Sequence, residues 1–174
     1  KYKDYISSFL TMLWDIGLEP GHSVRSIRQC RQEAVKDITV ATALMESRLL
    51  TGNPDLYSLM YQATHTERGW PVRKFVAAKL NEQAVRHQKY LGVDYALEPN
   101  VKTSPGGLRD IQTISWVCKR KFGTNSFKDL VELGFLAEPE YTTLKKGQEF
   151  LWKIRYGLHM LESRNEERLL FDKQ

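Results

Sequence analysis

Apolar residues recur at intervals of three and four through most of the chain, the signature of helices with one buried face. Tyr5, Ile6, Phe9, Leu10 and Leu13 predict an amphipathic helix over residues 1–13. It leads into Leu13-Trp14-Asp15-Ile16-Gly17-Leu18-Glu19-Pro20-Gly21, where a carboxylate stands inside a short apolar run closed by a Pro-Gly turn. That pattern predicts a brief buried strand carrying Asp15. Ser23 or Ser26 can cap a helix running toward Lys36, and Asp37 can cap the next, with Val40, Ala43, Leu44, Ser47 and Leu50 as its stripe before Gly52. A further helix is expected over Pro54 to Thr64.

Pro71 suits the first position of a long helix. Val72, Phe75, Val76, Leu80, Ala84 and Tyr90 or Leu91 would be buried, with Gly92 at its end, and Arg73, Lys74, Lys79, Arg86 and Lys89 would form a basic outer face. Pro99, Pro105 and Gly106-Gly107 then break regular structure, and Leu108, Ile111, Ile114 and Cys118 resume it, so a loop feeds a helix. Phe127, Leu130, Val131 and Leu133 predict a short helix ending near Gly134. From Pro139 onward, Leu144, Gly147, Leu151, Ile154, Leu158 and Leu161 predict a long helix with one buried seam. Leu169, Leu170 and Phe171 suggest one more packing contact.

Composition narrows the class. With 174 residues, 41% hydrophobic and 27% charged, the chain can build a soluble core. It holds no signal-peptide pattern and no run approaching the ~18 apolar residues of a membrane span, which predicts a cytoplasmic protein without a membrane partner. Lys1 in place of Met suggests a piece of something longer. The two cysteines, Cys30 and Cys118, and the four histidines, His22, His65, His87 and His159, lack metal-ligand spacing. A net charge of +5 suits either an anionic partner or a solvated basic surface. Aromatics fall on apolar stripes rather than between basic residues, which argues against nucleic acid.

Two stretches carry candidate chemistry. A buried Asp15 needs a partner, either a metal ion or a cation such as Arg, and His22, Arg25, Arg28 and Arg31 follow closely. In the loop from Leu97 to Gln112, the Gly106-Gly107 pair, the helix start and Lys102 would make a phosphate-binding corner, or an ordinary turn. The residues alone leave both open.

Several blocks together resemble the bacterial PII uridylyltransferase/uridylyl-removing enzymes. They are Trp14-Asp15-Ile16-Gly17-Leu18 with Gly21-His22-Ser23-Val24-Arg25, Asp37 to Thr42 with Glu46 to Leu50, Leu97 to Ile114, and Arg168 to Asp172 with Gln174. Glu98-Pro99-Asn100-Val101-Lys102 and Gly106-Gly107-Leu108-Arg109-Asp110-Ile111-Gln112 are the most specific, with a looser echo in the glutamine synthetase adenylyltransferases. The resemblance implies a DNA polymerase β-like nucleotidyltransferase, in which three carboxylates hold two Mg²⁺ ions. Asp15 matches the third of these. The Asp-x-Asp pair expected before it is not in the chain, nor are the phosphohydrolase His-Asp dyad and the glutamine-sensing domains, so the fragment alone should be inactive. The implied fold is mainly α, with the partial α/β end of a nucleotidyltransferase domain (1–53) followed by a helical domain (54–174). The implied reaction is attack by a tyrosine of the PII signalling protein on the α-phosphate of UTP. Lys102, Arg109 and the Gly106 and Gly107 amides would contact the triphosphate, and His22 and Arg25 would face the same anion. A competing expectation is a helical interaction module whose basic 71–91 face docks an acidic partner. Adenylyl transfer to glutamine synthetase fits less well, because no Arg-Leu-Arg-Pro follows the Asp15 segment.

Overall fold

The computed structural model describes residues 2–18, 20–65, 69–90, 97–124, 126–162 and 165–174. Helix α1, Lys3–Asp15, continues straight through the segment expected to be a strand. Gly17 explains why. At φ 82° it adopts the left-handed conformation that ends helices. The Leu18 amide then donates to the Leu13 carbonyl at 3.0 Å and the Gly17 amide to the Trp14 carbonyl at 2.9 Å. Asp15 is therefore the last helical residue, and it is exposed together with Trp14, Ile16 and Leu18. Short apolar runs do not separate strand from helix by periodicity, and the glycine after the run was the deciding signal.

Local chemistry accounts for the next helices. α2, Ile27–Lys36, starts at Ser26, which forms a reciprocal capping box with Gln29. α3, Ile38–Met45, starts at Asp37, whose carboxylate accepts the Thr39 amide at 2.6 Å. α4, Pro54–Thr64, follows Asn53, whose side chain accepts the Asp55 and Leu56 amides, and Pro54 occupies the first turn as expected.

α5, Val72–Gln88, begins after Pro71. Its expected end at Gly92, and Leu91, lie outside the described residues. Its inner face differs from expectation: Phe75 and Lys79 are fully buried, whereas Leu80 is 54% exposed. Lys79 places its ammonium 2.8 Å from Glu82 Oε2 and 4.1 Å from the centre of the Trp116 ring, which partners the charge inside the core. Of the expected basic face, Arg73, Lys74 and Lys89 stay exposed, while Lys79 and Arg86 turn inward. The surface left for an acidic partner is correspondingly smaller.

α6, Leu108–Phe122, runs from Gly107 to a left-handed Gly123. α7, Phe127–Glu132, precedes a left-handed Gly134. α8, Glu138–Leu161, is followed by a 3-10 turn at Phe171–Lys173. Met45, Phe75 and Trp116 form the core, with Ile38, Trp70 and Val117 around them. α4 packs on α2 and α3, α5 on α6, and α6 on α8. Lys119 and Arg120 reach back from α6, the first to the Met45 carbonyl and the second to the carbonyls of His65 and Trp70.

The molecule is thus mainly helical. Among the described residues no strand forms, and the one extended pairing is an isolated antiparallel bridge between Asn100 and Arg168. The α/β portion expected within residues 1–53 is not seen there; the described part of that stretch carries α1, α2 and α3.

Candidate functional site: a cationic cleft beside the 97–107 loop

The loop from Pro99 to Gly107 is held by its own polar groups. The Asn100 side-chain oxygen accepts the amides of Lys102 at 3.0 Å and Thr103 at 2.8 Å, and the Ser104 hydroxyl accepts the Asn100 amide at 2.9 Å. Both glycines are required by geometry. Gly106 sits at φ 79°, and a Cβ on Gly107 would lie 2.9 Å from the Ser104 carbonyl oxygen and 3.0 Å from those of Lys102 and Val101.

This closure changes the candidate phosphate corner. The Gly106 amide donates to Asp110 Oδ2 at 2.8 Å and the Gly107 amide to the Ser104 carbonyl at 2.9 Å. The Leu108 and Arg109 amides donate to the Val101 and Lys102 carbonyls. The N–H groups expected to face a phosphate are taken up inside the turn in this conformation. The glycines shape the loop, and the charge available to a ligand sits on side chains.

Asp110 fastens this loop to α5. Its carboxylate accepts from Gln83 at 2.8 Å, Arg86 at 2.6 Å and His87 at 3.0 Å besides the Gly106 amide. Burial alone would raise its pKa, but these donors outweigh burial and hold it below the usual carboxylate range.

A second carboxylate plays the same part at the other side of the loop. Residues 165–169 run beside 99–101, with the Val101 amide donating to the Glu167 carbonyl and the Leu169 amide to the Pro99 carbonyl, both at 2.9 Å. Two family-like blocks distant in sequence are therefore in contact. The Glu167 carboxylate takes two hydrogen bonds from Arg155, each 2.8 Å, and lies 3.3 Å from the Lys102 ammonium. The Arg155 hydrogen bonds lower its pKa against the effect of burial.

Both carboxylates are depressed in the folded state, so the stability they confer is present above the unfolded values of about 4 and is lost as pH falls through the lower folded values. Thermal unfolding scanned from pH 7 to pH 3 should show a shallow decline below about pH 6.5, where burial holds the His65 pKa down, and a steep fall below about pH 4 from these two carboxylates. A Tm unchanged down to pH 3 would show that these pairs do not hold the loop.

Between α6, α8 and the end of α3 lies a cleft of about 290 Å³ lined by Glu46, Lys102, Leu108, Arg109, Gln112, Ser115, Gln148, Trp152 and Arg155. It unites Lys102 and Arg109, both expected at an anion site, and adds Arg155. Arg109 donates to Gln112 at 2.8 Å and stands over the Trp116 ring, and Gln112 in turn donates to Glu46 at 2.9 Å. Three cations face the lining carboxylate of Glu46 and the Glu167 carboxylate shared by Lys102 and Arg155, an excess of positive charge that favours an anionic occupant. Arg155, Trp152 and Gln148 do not stand out in the sequence, because α8 reads there as a single apolar seam. Their spacing of three and four residues was the available sign of a second face.

The other expected site residues lie elsewhere. His22 is exposed in the segment before α2, and Arg25 lines a separate groove with Ile27, Leu49, Tyr57 and Met60. Asp15 is exposed at the end of α1. Among the described residues no group of three or more His, Cys, Asp or Glu side chains is placed to hold a metal ion. Mg²⁺ takes several oxygen ligands in near-octahedral geometry, so a lone Asp15 does not by itself fit that ion. Among the described residues no helix is long and apolar enough to cross a membrane.

Comparison with known proteins agrees with the sequence motifs. Residues 74–174 match the family model described as GlnD PII-uridylyltransferase. The bifunctional uridylyltransferase/uridylyl-removing enzyme of Stutzerimonas stutzeri (strain A1501) is 55% identical over 173 residues, which is 99% of this chain and 19% of that protein. The protein of the same description from Ectopseudomonas mendocina (strain ymp) is 56% identical over the same shares. The one from Pseudomonas fluorescens (strain SBW25) is 55% identical. The chain thus spans about a fifth of the length of these relatives, 19%. No solved structure matches it.

Proposed function

Because this chain belongs to the GlnD PII-uridylyltransferase family, we propose that it is the part of a longer, cytoplasmic uridylyltransferase that offers a cationic wall to the triphosphate of UTP. In that reaction a tyrosine hydroxyl of the PII signalling protein attacks the α-phosphorus. The bond from the α-phosphorus to the bridging oxygen breaks, the hydroxyl proton is lost, and pyrophosphate leaves. Lys102 and Arg109 would bind the triphosphate and offset the charge that gathers on the departing pyrophosphate. The observation that supports this reading is their meeting in one cleft beside Arg155.

Alone, the chain would not catalyse the transfer. Asp15 is proposed as one Mg²⁺ ligand of the full-length enzyme, with the remaining carboxylates supplied from outside this chain. Its exposure leaves it accessible to such partners.

Lys102→Ala in the full-length enzyme tests the cleft. Losing one charged contact to the phosphates should raise the KM for UTP about tenfold, the equivalent of ~1.4 kcal/mol, with the KM for the PII protein unchanged. An unaltered KM and kcat would leave the loop with a structural role only.

A further inference from the structure

Of the exposed apolar side chains on α8, among them Phe150, Trp152 and Tyr156, Trp152 is the one that lines the cationic cleft. It is 53% exposed. Large aromatic side chains left in a cationic groove are the pattern by which proteins hold nucleobases: cations track the phosphates and a ring stacks on the base. On α8, Gln148, Trp152 and Arg155 stand four and three residues apart and share one face, at a rise of about 1.5 Å per residue. The ring is thus about one helical turn from Arg155. That guanidinium is oriented by two hydrogen bonds to Glu167, which also holds Lys102. Two of the three cations are therefore gathered at one partly buried carboxylate, and Trp152 stands about one turn away along the same helix.

We propose that Trp152 is the platform on which the base of the nucleotide stacks, with Arg155 joining Lys102 and Arg109 on its phosphates. This rests on the reading of the cleft as the UTP-facing wall and adds to it a division of labour between base and phosphates. Stacking on an aromatic ring contributes about 1–3 kcal/mol per base and tolerates replacement of one ring by another. The ring is half exposed and stands outside the Met45, Phe75 and Trp116 core, so Trp152→Phe, which keeps an aromatic ring on the same half-covered patch, separates the loss of stacking from the loss of packing.

The test uses the full-length enzyme carrying Trp152→Ala, Trp152→Phe or Lys102→Ala. UTP is the substrate, and inorganic tripolyphosphate, which has phosphates but no base, is a competitive inhibitor. Trp152→Ala should raise the KM for UTP about tenfold, and Trp152→Phe should bring it back to within about threefold of the parent, since a phenyl face still stacks. Neither should change inhibition by tripolyphosphate, whereas Lys102→Ala should weaken it. An unchanged KM for UTP in Trp152→Ala, with Lys102→Ala still raising it, would overturn the stacking role and leave the cationic wall standing. Equal loss of UTP and tripolyphosphate binding in Trp152→Ala would also overturn it, because the ring would then be serving the phosphates. If neither Lys102→Ala nor Trp152→Ala affects UTP or tripolyphosphate, both proposals fall.

Discussion

Asp15→Asn in the full-length enzyme is expected to abolish uridylyl transfer while leaving the protein as stable as before. Groups that merely support a metal ligand typically cost 10- to 100-fold when removed, so loss of a ligand itself should cost at least about a hundredfold in kcat. The stability half of the prediction comes from position. Asp15 closes α1 at the negative end of the helix dipole, is exposed, and caps nothing. An anion there is disfavoured by roughly 0.3–1 kcal/mol, so neutralising it should leave Tm unchanged or slightly raised. Measuring kcat and Tm on the same preparation checks both halves. Activity within twofold of the parent would remove Asp15 from the catalytic set, and a large drop in Tm would show that it is structural.

The second large effect is on folding. Asp110→Ala removes the acceptor shared by Gln83, Arg86, His87 and the Gly106 amide, and leaves Arg86, only 14% exposed, without its anion. Breaking a buried ion pair from one side costs about 3 kcal/mol or more, which for a chain of this size lowers Tm by roughly 10 °C. The same substitution frees the loop that carries Lys102 from α5, so the KM for UTP should rise as well. Surface ion pairs such as Lys36–Glu33 offer a control, since their loss should move Tm hardly at all. A change of less than about 1 °C in Asp110→Ala would mean that the loop is held without Asp110, by its internal turns and its pairing with residues 165–169.

Much of this fold is written in local signals. Asn53 followed by Pro54 marks the start of α4, Ser26 with Gln29 marks that of α2, and Gly123 and Gly134 follow the ends of α6 and α7. These caps act over a few residues and need no tertiary knowledge. Two misreadings have physical causes. The Asp15 segment is short and apolar, which fits strand and helix alike, and Gly17 settles it only when seen as a helix stop. Lys79 looks like a surface residue, yet Trp116, distant in sequence, and Glu82 give its ammonium a partner indoors.

Part of the proposed cleft is legible in the sequence. Lys102 and Arg109 stand out because prolines and glycines surround them, and the structure places them on one cleft. Arg155 and Glu167 gain their meaning only from residues 165–169 folding back beside 99–101, and Trp152 only from α8 packing on α6. A glycine pair before a helix suggests amides open to a phosphate, whereas the hydrogen-bond pattern has carbonyls of the same loop and Asp110 occupying them.

The cationic wall can be tested by locating the nucleotide itself. In a crystal of the full-length enzyme with a nonhydrolysable UTP analogue, the triphosphate should lie within about 3 Å of the Lys102 ammonium and of the Arg109 or Arg155 guanidinium. An analogue seated fully elsewhere, with this cleft filled by solvent or by another part of the enzyme, would contradict it.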